Sequence, residues 1–350
     1  MIQLSIIIPV YNVQAYLEEC LNSIVNQNID NFEIIVINDG STDGSEDIID
    51  KFTRRYKFIK KVNKKNGGPG AARNIGIKLA AGKYIGFIDS DDYIEKNMFK
   101  NMLDIAEKTD SDIVMCDVEL FKDNEREKKW YLSTKKKNYN KIINNEEVLK
   151  LYLSDRIKGF AWNKIYKRSI FIENNIVYEE GVYYEDIYMS LILFTYAKNI
   201  YLVNKAYYKY RQRDGNITSG ITEKHLEDYN NNTKKSINFM NENKLFEELT
   251  DYKKAFEVSF MNSILELYYK HFDFNTKKIN ENYYKYFNEY NYDISYKDIF
   301  FKSALNSEHK KKYILNKFGI YVYIMKYKSM IKKLLINKNL ESKVNKGIGL

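Results

Sequence analysis

The chain has 350 residues, of which 44% are hydrophobic and 15% aromatic, with 15 Gly, 2 Pro and a formal net charge of +9. This composition predicts a globular protein of one large or two modest domains, and it excludes collagen-like, low-complexity and disordered chains. The basic excess lies in residues 301–350, which contain 12 Lys and 2 Glu, so it gives no reason to expect a nucleic-acid partner.

The cysteines and the apolar segments bear on the cellular compartment. Cys20 and Cys116 form neither a disulfide framework nor a metal-ligand spacing, so we expect buried thiols in a reducing compartment. The first apolar run is too short for a signal peptide, and no window approaches the roughly 18 apolar residues of a membrane span. We therefore expect a cytoplasmic protein.

Strand and helix patterns alternate through the N-terminal third of the chain. Two apolar runs predict buried strands, "LSIIIPVYN" and "FEIIVIND", and each precedes a segment of helical periodicity, "VQAYLEECLNSIVNQN" and "EDIIDKFTRRY". A short strand near residues 59–62, a helix that begins near Ala71 and the strand "YIGFI" follow. This alternation predicts βαβ units, which form a parallel sheet with helices on both faces.

The rest of the chain continues with mixed elements and ends in a helical pattern. A helix and the strand "DIVMCDVELF" come next, and the charged segment "KDNEREKKWYLSTKKK" is expected to be an exposed hairpin or loop. After Thr218 the pattern is helical and rich in Tyr, Lys and Asn. We place a domain boundary there, with residues 1–220 as one domain and residues 221–350 as a helical region with a basic tail.

Three polar segments follow predicted strands directly. "PVYN" follows the first strand, "NDGSTDGS" the second, and "DSDD" the strand that ends at Ile88. Ligands of open parallel sheets bind beyond the carboxyl ends of the strands. The three segments are therefore expected to meet at one crevice.

The segment "DSDD" places Asp89 and Asp91 on the same side of the chain if strand geometry persists. Two carboxylates on one side suit Mg²⁺ or Mn²⁺, which take one or two carboxylates together with phosphate oxygens and water. A solvated acidic turn is the alternative interpretation. The position at the ligand-binding edge of the sheet favours the metal site.

The other two segments and a glycine-rich stretch offer nucleotide contacts. "NGGPGAARNIG" places small residues where the chain begins a helix, which lets backbone N–H groups approach phosphate, although a tight turn is an equal alternative. Arg73 adds a planar donor group for phosphate or carboxylate. Asp39 is placed to accept hydrogen bonds from a base or ribose, whereas Asp43 is expected to cap the next helix. Tyr11 could stack on a base or simply pack.

Four motifs in this order, "SIIIPVYN", "VINDGSTDGS", "GPGAARNIG" and "FIDSDD", resemble the inverting family 2 glycosyltransferases of the GT-A fold. Two later segments, "GVYYEDIYMSLILF" and "YYKYRQRDGNIT", resemble the subgroup that builds bacterial capsules, cell-wall glycopolymers and lipopolysaccharide. The resemblance covers residues 3–220. It implies an α/β fold with a mainly parallel, Rossmann-like sheet flanked by helices, followed by a helical C-terminal extension.

The resemblance also implies roles for individual residues. Asp89 and Asp91 would be the DxD pair that holds Mn²⁺ or Mg²⁺, with Asp91 the more direct ligand. Asp186 would be the general base, and Glu185 its neighbour toward the acceptor; ordinary capping of a helix N-terminus is the alternative for both. The implied nucleotide-sugar contacts are Pro9, Tyr11, Asp39, Gly70, Arg73, Asp89, Ser90, Arg211 and Arg213.

The expected activity is transfer of a hexosyl or N-acetylhexosaminyl group from a nucleoside diphosphate-sugar, of which a UDP-sugar is the first choice, to a hydroxyl of a glycan or lipid-linked saccharide. A sugar nucleotidyltransferase and a non-catalytic nucleotide-sugar-binding protein are the rival interpretations. Trp162 could line the acceptor sugar or pack against the sheet.

The C-terminal tail has the pattern of a basic amphipathic helix over residues 324–335. Such a helix suits the anionic inner face of the cytoplasmic membrane, where a lipid-linked acceptor would reside. Packing of the helix on its own domain is the alternative interpretation. We also leave open whether the chain forms a homo-oligomer.

Overall fold

A computed structural model describes residues 1–122, 125–130, 138–213, 220–271, 304–305, 307–317 and 324. The strands are β1 (Leu4–Val10), β2 (Phe32–Asn38), β3 (Ile59–Asn63), β4 (Tyr84–Phe87), β5 (Tyr93–Ile94), β6 (Ile113–Lys122), β7 (Glu125–Trp130), β8 (Ile142–Ile143), β9 (Lys164–Lys167) and β10 (Ile200–Arg211). The helices are α1 (Gln14–Val25), α2 (Ser45–Arg55), α3 (Gly68–Leu79), α4 (Met98–Thr109), α5 (Asn145–Leu153), α6 (Arg168–Glu173), α7 (Glu185–Tyr196), α8 (Glu223–Glu242), α9 (Thr250–His271) and α10 (Ser307–Lys317), with a 3₁₀ helix at Lys244–Leu249.

The strands form one mixed sheet in the order β3-β2-β1-β4-β9-β6-β10-β5. The first four strands of this order are parallel, as the alternating pattern predicted. Strand β9 is antiparallel to both of its neighbours, β4 and β6, whereas β10 runs parallel to β6. The sheet is therefore mainly parallel, and most of its strands end at the same edge.

Two buried apolar clusters cover the two faces of the sheet. One cluster joins the sheet to α1, α2 and α4 through residues such as Leu21 and Phe52. The other joins it to α3, α5, α7, α8 and α9 through residues such as Phe194 and Phe256. Residues beyond position 221 share this second cluster with sheet residues, and the domain boundary at that position stays a prediction.

The start of α3 differs from the sequence prediction. The helix begins at Gly68, three residues before the expected Ala71, and Pro69 lies in its first turn. Proline suits this position because the first N–H groups of a helix have no intrahelical partner and its backbone φ angle is already helical. Gly76, later in α3, packs on β1: a Cβ there would lie 2.3 Å from the Ile7 side chain.

Other predictions have mixed outcomes. Strand β7 pairs antiparallel with β6, so the charged segment after "DIVMCDVELF" begins as a hairpin. Cys20 and Cys116 are buried free thiols, as expected. No helix in the described part of the chain is long and apolar enough to cross a membrane. The amphipathic pattern over residues 324–335 lies outside the described residues, apart from residue 324.

Candidate active site

The loops after β1 and β2 are joined by side-chain hydrogen bonds. Asn12 Oδ1 accepts a hydrogen bond from Thr42 N at 2.8 Å, and Asn12 N donates to Ser41 Oγ at 3.2 Å. Asp43 accepts hydrogen bonds from Gln14 N and Ser45 N, the first residues of α1 and α2, both at 3.0 Å. Asp43 is not the predicted N-cap of α2, because Gly44 occupies that position. These contacts place the two predicted polar segments side by side.

Pro9 and Tyr11 occupy different environments at the end of β1. Pro9 lies inside the strand, opposite Ile37, and not in the following loop as its motif suggested. A proline is tolerated there because β4 pairs with β1 only as far as Ile7. Tyr11 begins the loop and is 49% exposed, so its ring is accessible.

Asp39 is buried and holds the start of α3. Its Oδ1 accepts hydrogen bonds from Gly67 N at 3.0 Å and Lys64 Nζ at 2.5 Å, and its Oδ2 accepts one from Gly68 N at 2.8 Å. A carboxylate is favourable at a helix N-terminus, where free N–H groups concentrate positive charge. The N–H groups of Gly67 and Gly68, which lie in the segment predicted to bind phosphate, are thus bound to Asp39.

Gly70 packs against the protein and lines no open space. A Cβ on Gly70 would lie 2.5 Å from the backbone oxygen of Glu179. The structure gives Gly70 a packing role, and its predicted contact with the nucleotide-sugar stays a prediction. Glycine allows the segment that leads to α7 to pass directly over α3.

Arg73 joins the end of β4 to the start of α7. Its guanidinium is buried, with Nη2 donating to Asp89 Oδ1 at 3.0 Å and Nη1 donating to Glu185 Oε1 at 2.5 Å. Glu185 is 112 residues from Arg73 along the chain. Three residues that were predicted from separate motifs are therefore in direct contact.

The acidic turn does not continue the strand, and the prediction from strand alternation is wrong. Strand β4 ends at Phe87, and Asp92 N donates to Asp89 O at 3.1 Å, which closes a turn that contains the buried Ser90. Burial raises the pKa of Asp89 to about 6 against the opposing charge of Arg73, and the Asp91 carboxylate adds to the rise.

Asp92 and Tyr208 anchor this turn, and neither was predicted as a site residue. The buried Asp92 carboxylate accepts hydrogen bonds from Tyr208 Oη and Arg211 N, both at 2.7 Å. Tyr208 Oη in turn accepts one from Asp89 N at 3.2 Å. Only the third carboxylate in "FIDSDD" could have signalled such an anchor, since Tyr208 is one of 32 tyrosines.

The two predicted arginines of "RQR" differ in their surroundings. Arg211 is buried between the rings of Tyr16 and Phe121, and it donates to Asp91 O at 2.9 Å and to the Glu19 carboxylate. Arg213 is partly exposed, and its Nε donates to Asp91 Oδ2 at 2.9 Å. Arg213 therefore faces the acidic turn with its charge, whereas Arg211 supports the turn from within.

Asp89 and Asp91 can be tested as ligands of a divalent cation. No group of three or more His, Cys, Asp or Glu that could hold a metal ion occurs among the described residues. Mg²⁺ and Mn²⁺ bound with phosphates need only one or two carboxylates, however. Asp89 Oδ2 and Asp91 Oδ1 accept no hydrogen bond from the described part of the chain. The two aspartates therefore fit such a cation.

Tyr184 precedes the predicted catalytic pair in a left-handed conformation, with φ of 59° and ψ of 31°. Bulky residues rarely adopt this region, and such strain persists where surrounding contacts enforce it. The ring packs edge-on against Tyr229 of α8, with centroids 5.0 Å apart. The turn places Glu185 and Asp186 at the first positions of α7.

Asp186 has the electrostatic environment of a base. Burial raises the pKa of its carboxyl to about 7, the charge of Glu185 raises it further, and Arg73 and Lys164 oppose the rise. A carboxyl with a pKa near the working pH combines a large ionised fraction with useful proton affinity. The neighbouring Glu185 carboxylate accepts a hydrogen bond from Arg73.

Helix α8 holds the segment before α7 and forms one wall of a cleft. Tyr183 N donates to Asp228 Oδ2 and Tyr183 O accepts from Asn232 Nδ2, both at 3.0 Å. The Tyr183 ring stacks on His225, with centroids 3.7 Å apart. A cleft of about 270 Å³ lies between residues 179–182 and α8, and polar residues contribute most of the side chains that line it.

Trp162 packs against the sheet, which was the alternative to an acceptor contact. It is 5% exposed and stacks on Tyr208 at 4.2 Å and on Phe160 at 4.5 Å, measured between ring centroids. Because Tyr208 binds Asp92 and Asp89 N, this stack supports the acidic turn.

Comparison with known proteins identifies glycosyltransferases that are similar in sequence to this chain. The profile of "Glycosyl transferase family 2" matches residues 5–173. EpsJ of Bacillus subtilis (strain 168), named an uncharacterized glycosyltransferase, is 33% identical over 218 residues, which are 61% of this chain and 62% of EpsJ. EpsH of the same strain, also named a glycosyltransferase, is 32% identical over 248 residues, which are 70% of this chain and 71% of EpsH.

A solved structure gives the same result for the architecture. The crystal structure of S. aureus TarS residues 1–349 in complex with UDP matches with a TM-score of 0.64 and 20% identity, covering 94% of this chain and 92% of that one. The predicted GT-A architecture, a mainly parallel sheet flanked by helices, is confirmed. The chain spans less than two thirds of EpsJ.

Proposed function

Because the chain belongs to glycosyl transferase family 2, we propose that it transfers a sugar from a UDP-sugar to a hydroxyl group of a glycan or lipid-linked saccharide, with inversion at the anomeric carbon. The acceptor belongs to a bacterial surface polysaccharide, since the later motifs resemble the subgroup that makes capsules and cell-wall polymers. The observation that carries this proposal is the Arg73 bridge. It holds the acidic turn beside the start of α7, which supports a cation site and a base at one reacting centre.

The nucleotide would bind beyond the ends of β1 and β2. Tyr11 offers an exposed ring for stacking on the base. Asp39 accepts three hydrogen bonds, and an ionised carboxylate can accept about four, so one acceptor direction remains for an N–H of the base. Pro9 and Gly70 would act by shaping the edge of this site, and Ser90 by fixing the acidic turn.

The leaving diphosphate requires positive charge. Asp91, with Asp89 beside it, would hold Mn²⁺ or Mg²⁺, which supplies charge stabilisation to the departing phosphates. Arg213 Nε lies 2.9 Å from Asp91 Oδ2, so the Arg213 guanidinium can also stabilise the negative charge of the departing diphosphate. Arg211 instead keeps the turn in place. Such preformed charges accelerate the reaction because charge on the leaving group is larger in the transition state than in the ground state.

Asp186 would accept the proton of the acceptor hydroxyl. The acceptor oxygen forms its bond to the anomeric carbon as the bond from that carbon to the diphosphate oxygen breaks, and the proton moves to an Asp186 oxygen. A neutral alcohol is a weak nucleophile until its O–H bond weakens. Glu185 would orient the acceptor, and Arg73 would act as a positioning residue for both carboxylates that it binds.

The cleft beside α8 is suited to the acceptor saccharide. Asn231, Asn238 and Glu179 offer donors and acceptors for sugar hydroxyls, and Val182 is the one apolar side chain of the lining. Val182 precedes Asp186 by four residues, so the two lie at most about 14 Å apart. Contact of the tail with the membrane and homo-oligomer formation remain predictions without support from the described residues.

A panel of UDP- and GDP-sugars tests the proposal through release of nucleoside diphosphate with Mn²⁺ or Mg²⁺ present. We expect metal-dependent release from at least one donor, because hydrolysis proceeds slowly without the acceptor. A sugar nucleotidyltransferase would instead release pyrophosphate from a nucleoside triphosphate and a sugar phosphate. Tight donor binding without any turnover would favour the non-catalytic binding protein.

A further inference from the structure

Lys164 of β9 is a lysine with its side chain wholly inside the protein, at 0% exposure. Its Nζ donates to the backbone oxygen of Phe160, to Asn163 Oδ1 at 2.8 Å and to the backbone oxygen of Lys158 at 3.4 Å. A protonated amine has three donor hydrogens and no acceptor. Three oxygen acceptors therefore match the charged form, and all three are neutral groups.

The ammonium group lies against α7, the helix whose first turn contains Asp186. Asp186, Ser190 and Phe194 are spaced by four residues each, so they share one face of the helix. Ser190 Oγ donates to Gly159 O, within the segment that binds the Lys164 ammonium. The Phe194 ring centroid lies 5.9 Å from Lys164 Nζ. Two of the three residues on this face thus contact Lys164 or its supporting loop.

We propose that Lys164 is a positioning residue for Asp186: its buried ammonium group, held by three neutral oxygens against α7, favours the ionised form of the Asp186 carboxylate, which can accept a proton. This role rests on the proposed function of Asp186. The motif "AWNKIYK" does not predict this role of Lys164, because a lysine in a strand is ordinarily a solvated residue.

Other charged groups also surround Asp186. Glu185 and Asp89 are negative and work against ionisation of Asp186. Arg73 is positive and favours the ionised form of Asp186 more strongly than Lys164 does, although Arg73 also binds the carboxylates of Asp89 and Glu185. Among the residues that the structure describes, the remaining titratable neighbours are tyrosines, which are neutral near pH 7. They are Tyr152, Tyr166, Tyr178, Tyr184 and Tyr229. Burial lowers the pKa of Lys164 and the charge of Asp186 opposes that change, which agrees with mutual proximity.

The pH dependence of kcat/KM tests this role in the full chain with Mn²⁺ and the active donor. Lys164→Met removes the charge and retains the length of the side chain, and Lys164→Gln also retains a hydrogen-bond donor. We expect the acidic limb of the kcat/KM profile to move upward by about one pH unit in both variants, because loss of a neighbouring positive charge raises the pKa of a carboxyl group by that order. A uniform loss of rate at all pH values, without a moved limb, would show a purely structural lysine and overturn the proposal.

Lys209→Met is the matched control. Lys209 is also buried, but its partners are Glu95 and Glu119, away from α7. We expect the acidic limb of the kcat/KM profile of Lys209→Met to coincide with that of the wild type. A limb moved as far as in the Lys164 variants would mean that any buried lysine has this effect, which contradicts the proposal.

A direct titration separates this inference from the proposed function. In protein labelled with ¹³C at Asp carboxyl groups, the signal lost in Asp186→Asn identifies Asp186. We expect its midpoint to rise in Lys164→Met, whatever the role of Asp186 in turnover. An unchanged midpoint rejects the role of Lys164, whereas full activity of Asp186→Asn rejects the base and leaves the measured coupling intact.

Discussion

Replacement of Asp186 by Asn should lower activity and raise stability together. The substitution keeps the shape of the side chain and removes its ability to take a proton. A positioned general base contributes about 10²–10⁴-fold to the rate, so we expect kcat to fall by that factor while donor binding is retained. In the wild type, kcat/KM should decline below pH 7, because burial raises the pKa of Asp186 to about 7 and the protonated acid cannot accept a proton.

The gain in stability follows from the same raised pKa. The ordinary value for Asp is 3.8, so the unfolded chain loses this proton near pH 4 and the folded chain near pH 7. Stability is therefore lost as the pH rises from about 4 to 7, by at most ~4 kcal/mol at 1.36 kcal/mol per pKa unit. Partial exposure of the carboxylate screens the effect, which leaves about 1–2 kcal/mol that Asp186→Asn should recover at pH 8.

Urea unfolding of both proteins at pH 5 and pH 8 measures this difference. The free energy of unfolding of Asp186→Asn should exceed that of the wild type by a margin that grows between the two pH values. If the free energies of unfolding of the wild type and of Asp186→Asn change by the same amount between pH 5 and pH 8, the raised pKa of Asp186 is refuted. A variant that loses activity without this pH-dependent gain would place Asp186 in the reaction for some other reason.

Further substitutions test other parts of the site. Asp91→Ala should abolish metal-dependent release of nucleoside diphosphate and leave the melting temperature within a few degrees of the wild type; retained metal-dependent turnover would remove Asp91 from the cation site. Tyr208→Phe leaves the buried Asp92 without one donor, so we expect a loss of about 1–3 kcal/mol in urea unfolding and a lower kcat, and equal stability would contradict the anchoring role. Gly70→Ala forces a Cβ to within 2.5 Å of Glu179 O, so we expect ~1–3 kcal/mol of destabilisation by thermal melting, and a neutral effect would show that the segment moves freely.

The sequence predicted the first half of the fold well for a simple physical reason. Fully buried parallel strands appear in the sequence as continuous apolar runs, and β1, β2 and β4 each coincide with such a run. The antiparallel β9 between β4 and β6 was not predicted, because its four residues include two lysines. Its place in the sheet depends on contacts with strands far away in the chain.

The site shows the same division between local and distant information. The motifs predicted Asp89, Asp91, Glu185 and Asp186 as site residues, since each follows a strand or starts a helix. They could not show that Arg73 binds two of these carboxylates, because its partners are 16 and 112 residues away. Asp39 is a related case: the residue was correctly placed after β2, but its hydrogen bonds to the start of α3 appear only in three dimensions.

A crystal structure with UDP and Mn²⁺, with the metal located by its anomalous scattering, tests the central claim most directly. We predict one manganese peak within coordination distance of an Asp91 carboxylate oxygen, with the diphosphate bound to the metal. We also predict that the base of UDP lies near Asp39 and Tyr11, and that Asp186 lies on the side of the diphosphate where the acceptor would bind. UDP bound elsewhere on the chain, or a metal that contacts neither Asp89 nor Asp91, would contradict the proposed sugar transfer at this site.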